Sequence, residues 1–529
     1  MLSRRNFITL AGRGGLSFAF ANKTVAGVIQ SFDTALLEAT ITIDFTNPEG
    51  TIDRAIYGQF IEHLGRAING GIFEEGSPLS NKKGVRLDVL DKIKQLHPTV
   101  MRYPGGTFTK IYHWMDGIGP LNERRARPNL IWGGLDTNRF GTDEAITYSR
   151  TIGADPYFSV NMGTGTAEEA GNWVEYCNGI QDTYYANLRR KNGHMAPHKV
   201  KYWGLGNEEA AGPDIGRLQK VEDYVKEAWF YTKAMKLQDK SIKLILCGAD
   251  DKAWNDHVLK EMGDVCDYIS LHCYVGADKA KPASLFPHVE KLEKSILEIK
   301  QSIQANTVVK VTDFKKWYRF PPRPNPVKIA IDELGIWETG TGAYDLEDLY
   351  NWNHALGTAT FFNIMQRQAS VVGMATWAQT VNVLAPIMTS KSASVCQTIY
   401  YPMQFYREHA GNISLKCDVK TSDMQIPGSE GAKTLDVSAT LNEADGTFTL
   451  FVVNRHPESA VKTRLGNIDS KKYNTVKAYE LNAASILAIN TLEQPHKNVV
   501  VKNEKRLSGI VSEYIFPAHS ITALVYGKV

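Results

Sequence analysis

The sequence contains few cysteines, and none of them belongs to a C-x-x-C pair. Only 6 of its 529 residues are Cys, at positions 177, 247, 266, 273, 396 and 417. This spacing argues against a structural zinc site and against a disulfide framework, so we expect free and mostly buried thiols. No group of His, Asp and Glu has the spacing of metal ligands either. The sequence therefore predicts no metal and no other cofactor.

An excess of one charge, long apolar segments and dinucleotide-binding motifs are also missing. Lys and Arg number 60 against 57 Asp and Glu, a net charge of +3, so charge gives no reason to expect nucleic acid as a partner. No segment reaches the roughly 20 apolar residues that a membrane-spanning helix needs. No G-x-G-x-x-G opens a helix, which argues against a doubly wound sheet. With 43% hydrophobic residues, the chain is expected to bury a large core.

The first residues resemble an export signal. Arg4 and Arg5 form a twin-arginine pair ahead of a short apolar stretch, and a small-x-small site follows at residues 19–21. These are the parts of a twin-arginine signal; the alternative is a chance pair ahead of a short buried helix. We expect residues 1–26 to be this signal and the mature protein to be periplasmic or extracellular.

From residue 55 to residue 394, short apolar strands alternate with amphipathic helices. Eight such strands in succession are the plan of a (β/α)8 or TIM barrel with long loops after some strands. The predicted strands end at Ile61, Tyr103, Val160, Leu205, Leu246, Leu271, Ile331 and Ala375. Helices are predicted at Val85–Leu96, Thr166–Cys177, Val221–Leu237, Val289–Ile303 and Leu346–Gln368.

The segments on either side of the barrel are predicted to form a β-sandwich, jelly-roll-like in character. Residues 395–529 show short strands at turn-rich spacing and almost no helical periodicity. The alternation of polar and apolar residues over 40–45 indicates a half-buried strand, so we expect residues 27–54 to join this sandwich. The predicted strands are Thr434–Thr440, Thr447–Val453, Val476–Leu481, Ile510–Ile515 and Ile521–Tyr526.

Two of the predicted barrel strands stop at carboxylates. The fourth ends in Asn207, Glu208 and Glu209, and the seventh ends in Asp332 and Glu333. Active residues of such barrels lie at the carboxyl ends of the strands. Glycoside hydrolases use two facing carboxyl groups: one acts as acid and base, and the other acts as the nucleophile or as a base. The alternative is that these carboxylates cap the following helices, but two of them, with an Asn before the first, favour an enzyme.

At these positions the sequence resembles the α-L-arabinofuranosidases of glycoside hydrolase family 51. The resemblance covers about residues 50–400, and more loosely the tail, and its motifs follow the order expected in a barrel. The motifs are Tyr57–Arg66, Arg102–Gly106, Trp114–Pro120, Asn138–Gly141, Asn161–Thr166, Trp203–Glu208, Val381–Val383 and Ala385–Met388.

The resemblance implies an exo-acting, retaining enzyme that removes terminal arabinofuranosyl residues from arabinan, arabinoxylan and their oligosaccharides. It assigns the acid/base to Glu208 and the nucleophile to Glu333, with Tyr274 hydrogen-bonded to that nucleophile. We expect the charge of Glu333 to keep Glu208 protonated. The residues expected to bind substrate are Glu62, Thr107, Trp132, Asn207, Tyr274, Trp337 and Gln379.

Some of these assignments have structural alternatives. Glu62 could pair with Arg102 on the barrel floor, and the two tryptophans could be core residues. Neighbouring strand residues point to opposite sides, so Glu209 is expected to face away from the pocket if Glu208 faces it. His272 is expected to be structural, because the mechanism needs no imidazole.

Three positions depart from the family pattern. Thr107 stands in place of an Asn after two glycines, Leu334 and Gly335 replace a Trp-Asn pair, and Cys273 stands where bulkier residues are frequent. Thr107 has one hydroxyl on a stiff β-branched stem, so we expect it to leave a gap near the sugar. These departures leave the exact sugar and linkage open.

Two other interpretations also remain open. One keeps the fold and mechanism but changes the substrate, as in an endoglucanase, a xylosidase or a galactofuranosidase. The other is an inactive sugar-binding protein, against which the presence of both Glu208 and Glu333 argues. The expected partner is an arabinose-containing saccharide and neither nucleic acid nor a membrane, and the family resemblance implies a homo-oligomer.

Overall fold

Eight parallel strands close into a barrel, each pairing with the next one along the chain. The computed structural model describes residues 36–210, 215–278, 281–306, 311–321, 325–338, 346–426, 430–509 and 511–528. The export signal predicted at residues 1–26 lies outside these. Strand β1, Leu37–Thr51, precedes the barrel. The barrel strands are β2 Gly58–Phe60, β3 Val100–Tyr103, β4 Asp155–Val160, β5 Tyr202–Leu205, β6 Lys243–Leu246, β7 Tyr268–Val275, β8 Lys328–Ile336 and β9 Val372–Trp377.

Helices connect the barrel strands and cover their outer faces. The helices are α1 Leu87–Gln95, α2 Thr142–Thr151, α3 Ala167–Asn178, α4 Tyr184–Lys191, α5 Val221–Gln238, α6 Lys252–Met262, α7 Leu285–Asn306, α8 Asp313–Trp317, α9 Trp352–Arg367 and α10 Tyr400–His409. Four of them, α3, α6, α8 and α9, begin after a polar side chain that caps the first turn; Thr166, for example, accepts a hydrogen bond from the Glu169 amide at the start of α3.

The predicted barrel is confirmed, with differences at the ends of several elements. β7 and β8 continue four or five residues past their predicted ends at Leu271 and Ile331, because the following residues are still paired to each other. The helix predicted from Leu346 begins only at Trp352, where Asn351 caps it. α10 was missed altogether in a segment for which we predicted only strands.

Nine strands form the second sheet, in the order β15–β14–β17–β12–β11–β10–β1–β13–β16. Phe45 of β1 packs on Phe448 of β12 and on Tyr473 of β14 at ring-centroid distances of 5.1 and 5.8 Å. Since β1 and β14 lie far apart in the strand order, the sheet folds over and its two halves enclose one core. The strands are β10 Ile413–Lys420, β11 Leu435–Leu441, β12 Phe448–Asn454, β13 Val461–Gly466, β14 Tyr473–Asn482, β15 Val501–Ser508, β16 Glu513–Phe516 and β17 Ile521–Lys528.

One predicted strand of this sheet is displaced, and three observed strands were not predicted. The strand expected at Ile510–Ile515 begins at Glu513, and residue 510 lies outside the described residues. β10, β13 and β15 were missed because their exposed faces carry charged residues that interrupt the apolar pattern.

Barrel and sheet meet across a shared apolar layer. The rings of Phe362 on α9, Tyr406 on α10 and Phe451 on β12 stack in succession, at centroid distances of 5.2 and 4.4 Å. A small buried cluster fills the barrel interior near the amino-terminal ends of the strands. The carboxyl-terminal ends of the strands therefore form the end of the barrel that is open to substrate. The members of this cluster are Ala55, Val100, Tyr157, Tyr202, Ile245, Ala330 and Met374.

Candidate active site

The open end of the barrel brings together side chains from five strands and the segments that follow them. Glu333 lies within β8, opposite His272 of β7, at a register shift between Ala330 and Glu333. Such a bulge re-aims side chains relative to regular alternation. The predicted residues found here are Glu62 after β2, Asn207 and Glu208 after β5, Tyr274 on β7, Glu333 on β8 and Gln379 after β9.

Both carboxylate oxygens of Glu333 accept hydrogen bonds. Arg102 Nη1 donates to Oε1 at 2.9 Å, and Tyr274 Oη donates to Oε2 at 2.8 Å. Gly106 lies so close that a Cβ placed there would be 2.5 Å from Oε1. The glycine is therefore required for the backbone to approach this carboxylate. With a donor on each oxygen, Glu333 is arranged as an anion.

Arg102 organises this group from below. Its buried guanidinium also donates to the Asp332 carbonyl at 2.9 Å and to Asn207 Oδ1 at 2.6 Å, and it lies 4.7 Å from the centroid of the Phe60 ring. Burial opposes its charge, but the carboxylates of Asp332 and Glu333 raise the pKa of Arg102 above its ordinary value. One interpretation of the sequence was an ion pair between Glu62 and Arg102; in the structure Arg102 pairs with Glu333 instead.

Asn207 is anchored at one end and available at the other. Its Oδ1 accepts from Arg102, which turns Nδ2 the opposite way. Nδ2 is buried and has no hydrogen-bond partner among the residues that the structure describes. A buried amide donor left in this state is ready to bind a ligand hydroxyl.

Glu208 stands in a turn, not on a strand. β5 ends at Leu205, and Gly206 and Glu208 then adopt left-handed conformations with φ of +82° and +47°. For Glu208 this conformation costs about 1–3 kcal/mol, a kind of strain that clusters at functional sites. Glu208 keeps a side-chain exposure of 34%, whereas Glu209 is fully buried. The two side chains thus differ as expected, but the left-handed turn separates them and not strand alternation.

His272 lies between the two carboxylates and is not merely structural. Its Nδ1 is 2.8 Å from Glu208 Oε1 and 3.5 Å from Glu333 Oε2, and its Nε2 is 3.4 Å from Asp332 Oδ1. Burial opposes protonation, but the surrounding carboxylates raise the pKa of His272 to about 10. The ring is therefore an imidazolium at neutral pH.

The charge of His272 reverses one expectation about the carboxylates. Burial would raise the pKa of Glu208, but the hydrogen bond and positive charge of His272 lower it below its ordinary value. We had expected Glu333 to raise this pKa. The pKa of Glu333 itself is raised by burial, with the charge of Glu208 adding to the effect and His272 opposing it. In the enzyme without substrate, the proton shared by this group of residues is therefore bound to His272.

Glu62 closes the other side of the site. It accepts from Trp132 Nε1 at 2.9 Å, from the Phe108 amide at 3.1 Å and from Gln379 Nε2 at 2.8 Å. A Cβ on Gly105 would lie 2.5 Å from Glu62 Cγ, so this glycine too admits a carboxylate. Gln379 Oε1 is buried without a hydrogen-bond partner among the described residues, so an acceptor faces the site.

Two more predicted residues lie at the rim. Thr107 is partly exposed, and its hydroxyl makes no hydrogen bond within the described ranges. Trp337 is 36% exposed and meets the Tyr274 ring edge to face at 6.2 Å. Neither Trp337 nor the half-buried Trp132 is a core residue, so both aromatic rings are accessible at the mouth.

Comparison with known proteins places this site in a family. Family models of the α-L-arabinofuranosidase 1 domain and of the α-L-arabinofuranosidase C-terminal domain match residues 92–291 and 332–520. α-L-Arabinofuranosidase C of Emericella nidulans is 37% identical over 495 residues, which cover 89% of this chain and 94% of the relative. The chain belongs to the α-L-arabinofuranosidases of glycoside hydrolase family 51.

Solved structures of α-L-arabinofuranosidases agree with the fold. The thermostable enzyme of Thermotoga petrophila is 37% identical and aligns with a TM-score of 0.81, covering 92% of this chain and all (100%) of that one. The arabinose complex of the Thermotoga maritima enzyme is 36% identical with a TM-score of 0.81, covering 93% of this chain and 100% of that one.

Sequence reasoning did not assign two residues that are central to this arabinofuranosidase site. Arg102 could have been found from its position at the end of β3, where a buried charge needs an acidic partner. His272 precedes Tyr274 by two residues, so the two side chains share one face of β7. That spacing was the available signal for a histidine pointing into the mouth.

Proposed function

We propose that this chain is an exo-acting, retaining α-L-arabinofuranosidase in which Glu333 is the nucleophile and Glu208 the acid/base. The observation that carries the mechanism is a distance. One carboxylate oxygen of Glu208 and one of Glu333 lie within 4.8 Å of each other and of a ring nitrogen of His272, which bounds the closest approach of the two carboxyl groups. Retaining enzymes hold their carboxyl groups about 5–5.5 Å apart, whereas inverting enzymes need roughly 6.5–9.5 Å to admit a water.

In the first step, Glu333 attacks the anomeric carbon and the glycosidic C–O bond breaks. Glu208 gives a proton to the departing oxygen, so that an alcohol leaves and a glycosyl-enzyme ester remains. In the second step, Glu208 takes a proton from water, the water oxygen attacks the anomeric carbon, and Glu333 leaves as a carboxylate. Arabinose is released with its original anomeric configuration.

The proton for the first step is held by the Glu208–His272 pair. Their atoms are 2.8 Å apart, so a proton on His272 Nδ1 can pass to Glu208 Oε1 within one hydrogen bond. Substrate binding displaces water from Glu208 and so disfavours its charged form, which moves the proton toward the carboxylate. His272 thereby keeps Glu333 ionised in the free enzyme and supplies the acid when substrate is bound.

The remaining residues position the sugar. Asn207 Nδ2, a buried donor without a partner among the described residues, is suited to the 2-hydroxyl, a contact that strengthens in the transition state. Glu62 and Gln379 offer acceptors for further hydroxyls. Glu62 and the Trp132 indole that is hydrogen-bonded to it form a wall on one side of the site. This wall favours the binding of a terminal sugar residue over a sugar residue inside a polysaccharide chain.

The mechanism is tested with aryl α-L-arabinofuranosides of graded leaving-group acidity. Glu333→Ala should nearly abolish turnover on all of them, because no covalent intermediate can form. Glu208→Ala should spare substrates with good leaving groups relative to poor ones, because good leaving groups need little protonation. Glu209→Ala is the control variant at the neighbouring position. If Glu209→Ala, and not Glu208→Ala, spares the substrates with good leaving groups, Glu209 is the acid.

The stereochemical outcome and the substrate class are tested separately. NMR of the first product should show retention, and inversion would refute the assignment of Glu333 as nucleophile. A panel of aryl arabinofuranosides, xylosides, glucosides and galactofuranosides should show the arabinofuranoside as the preferred substrate. A sugar-binding protein without activity would turn over none of them.

Export by the twin-arginine route and assembly into a homo-oligomer are parts of the same proposal. Arg4 and Arg5 support export, with processing near Asn22 or Gly27. Within the described residues, no helix has the length and apolar character needed to cross a membrane. Light scattering on the purified enzyme tests the oligomeric state.

A further inference from the structure

A second group of potential metal ligands lies outside the active site, in the helix layer of the barrel. Asp143, at the start of α2, meets His194 and His198 from the segment that leads into β5. The sequence predicts no metal, because these residues do not show the spacing of metal ligands. One ligand atom from each of the three lies within 4.8 Å of the other two.

The distances match the edges of a small coordination polyhedron. His198 Nε2 is 3.0 Å and His194 Nε2 is 3.6 Å from the same oxygen, Asp143 Oδ1. A tetrahedral zinc ion with bonds of about 2.0–2.1 Å has ligand atoms about 3.3–3.4 Å apart. Binding an ion therefore requires shifts of a few tenths of an ångström along these two edges, and the ligand atoms of His194 and His198 lie within 4.8 Å of each other.

The three ligands are held in place by their surroundings. Tyr176 Oη donates to Asp143 Oδ2 at 2.7 Å, and Asn192 Nδ2 donates to Tyr176 Oη at 3.1 Å. The His198 amide donates to the Cys177 carbonyl at 2.6 Å. Outer hydrogen bonds of this kind orient the ligands of protein metal sites.

One position of the site is open to solvent. The His194 side chain is 33% exposed, which gives water access as a fourth ligand.

We infer that Asp143, His194 and His198 form a binding site for a divalent transition-metal ion of the Zn²⁺ type. Two imidazoles and one carboxylate are a donor set for zinc, whereas Ca²⁺ and Mg²⁺ require several oxygens. The ion would join α2 to the segment preceding β5.

Zinc binding is measured by calorimetry on untagged, EDTA-treated enzyme. The background is His272→Gln, because Glu208, His272 and Glu333 also offer ligand atoms within 4.8 Å. We expect one Zn²⁺ per chain, and a melting temperature raised by about 2–3 °C at 100-fold excess over Kd. Co²⁺ should give the visible absorption of a four-coordinate site.

Substitutions then identify the ligands. Asp143→Asn and His198→Gln should abolish binding, and the half-exposed His194→Gln should weaken it without disturbing the Asp143–Tyr176 hydrogen bond. Tyr176→Phe, an outer partner, should cost about 10–100-fold in affinity. His257→Gln on α6 is the matched control, since this histidine is outside both groups, and it should leave binding unchanged.

Three results would overturn the inference. They are the absence of Zn²⁺ binding in the His272→Gln background, binding that survives His194→Gln at full affinity, and stabilisation by Ca²⁺ or Mg²⁺ equal to that by Zn²⁺. Each is independent of the glycosidase activity, so the inference does not depend on the proposed function.

Discussion

Gly106→Ala is the smallest change that should disable the proposed nucleophile. A Cβ at this position would lie 2.5 Å from Glu333 Oε1, whereas ordinary contacts begin at 3.4 Å. The carboxylate must therefore retreat by about 0.9 Å, away from Arg102 or away from Tyr274. A misplacement of about 1 Å at a reacting group can cost roughly 10²-fold in rate, equivalent to about 2.7 kcal/mol of transition-state stabilisation.

The assay is kcat/KM on an aryl α-L-arabinofuranoside, together with the rate at which a 2-fluoro glycoside traps the glycosyl-enzyme. Both should fall about 100-fold, because both report attack by Glu333. Gly105→Ala displaces Glu62 instead, with a Cβ 2.5 Å from Glu62 Cγ, so it should raise KM more than it lowers kcat.

Gly171→Ala on α3 is the control for a crowded glycine outside the site. Its Cβ would lie 3.3 Å from Ala234 Cβ, and activity should be unchanged. Wild-type activity and trapping in Gly106→Ala would refute the argument. They would mean that the close approach of Glu333 to Gly106 is not the working geometry.

Three further predictions concern pH, specificity and export. The pKa of His272 is about 10 in the folded chain against an ordinary 6.5, so its contribution to stability is full below pH 6.5 and is lost as pH rises toward 10. Urea unfolding should show this alkaline loss in the wild type, and a His272→Gln protein with the same loss would contradict it. Thr107→Asn should raise kcat/KM on the simple arabinofuranoside several-fold, since one neutral hydrogen bond contributes about 0.5–1.5 kcal/mol, and should narrow the range of accepted sugars; lower activity on every sugar would mean that Thr107 fills its own space. Arg4→Lys with Arg5→Lys should leave active enzyme in the cytoplasm, as fractionation would detect, and unimpaired export would show that the pair is accidental.

The barrel was predictable because its strands are buried on both faces and are separated by helices. Such strands appear in the sequence as short apolar runs, and four of them end at the expected residue: Tyr103, Val160, Leu205 and Leu246. The ends of β7 and β8 were not predictable. Polar residues such as His272 and Glu333 normally signal the end of a strand, yet here they remain paired because the site is built on the extended strands.

The positions of the two carboxylates also followed from the sequence, but their protonation did not. Family motifs and strand ends locate Glu208 and Glu333. The pKa of each depends on which charges surround it. Those charges come from distant parts of the chain: Arg102 is 231 positions from Glu333, and His272 is 64 positions from Glu208. Only folding brings the imidazolium to 2.8 Å from Glu208, and this short contact reverses the direction expected from Glu333 alone.

The sequence by itself thus determined the barrel and the strand-end carboxylates, because each leaves a local pattern. The tertiary structure alone decided the left-handed turn that exposes Glu208 and buries Glu209, and the network of Arg102. It also decided the meeting of Asp143 with His194 and His198 across two elements. These features depend on distances between segments that are remote in the chain, and such distances are fixed only when the barrel closes.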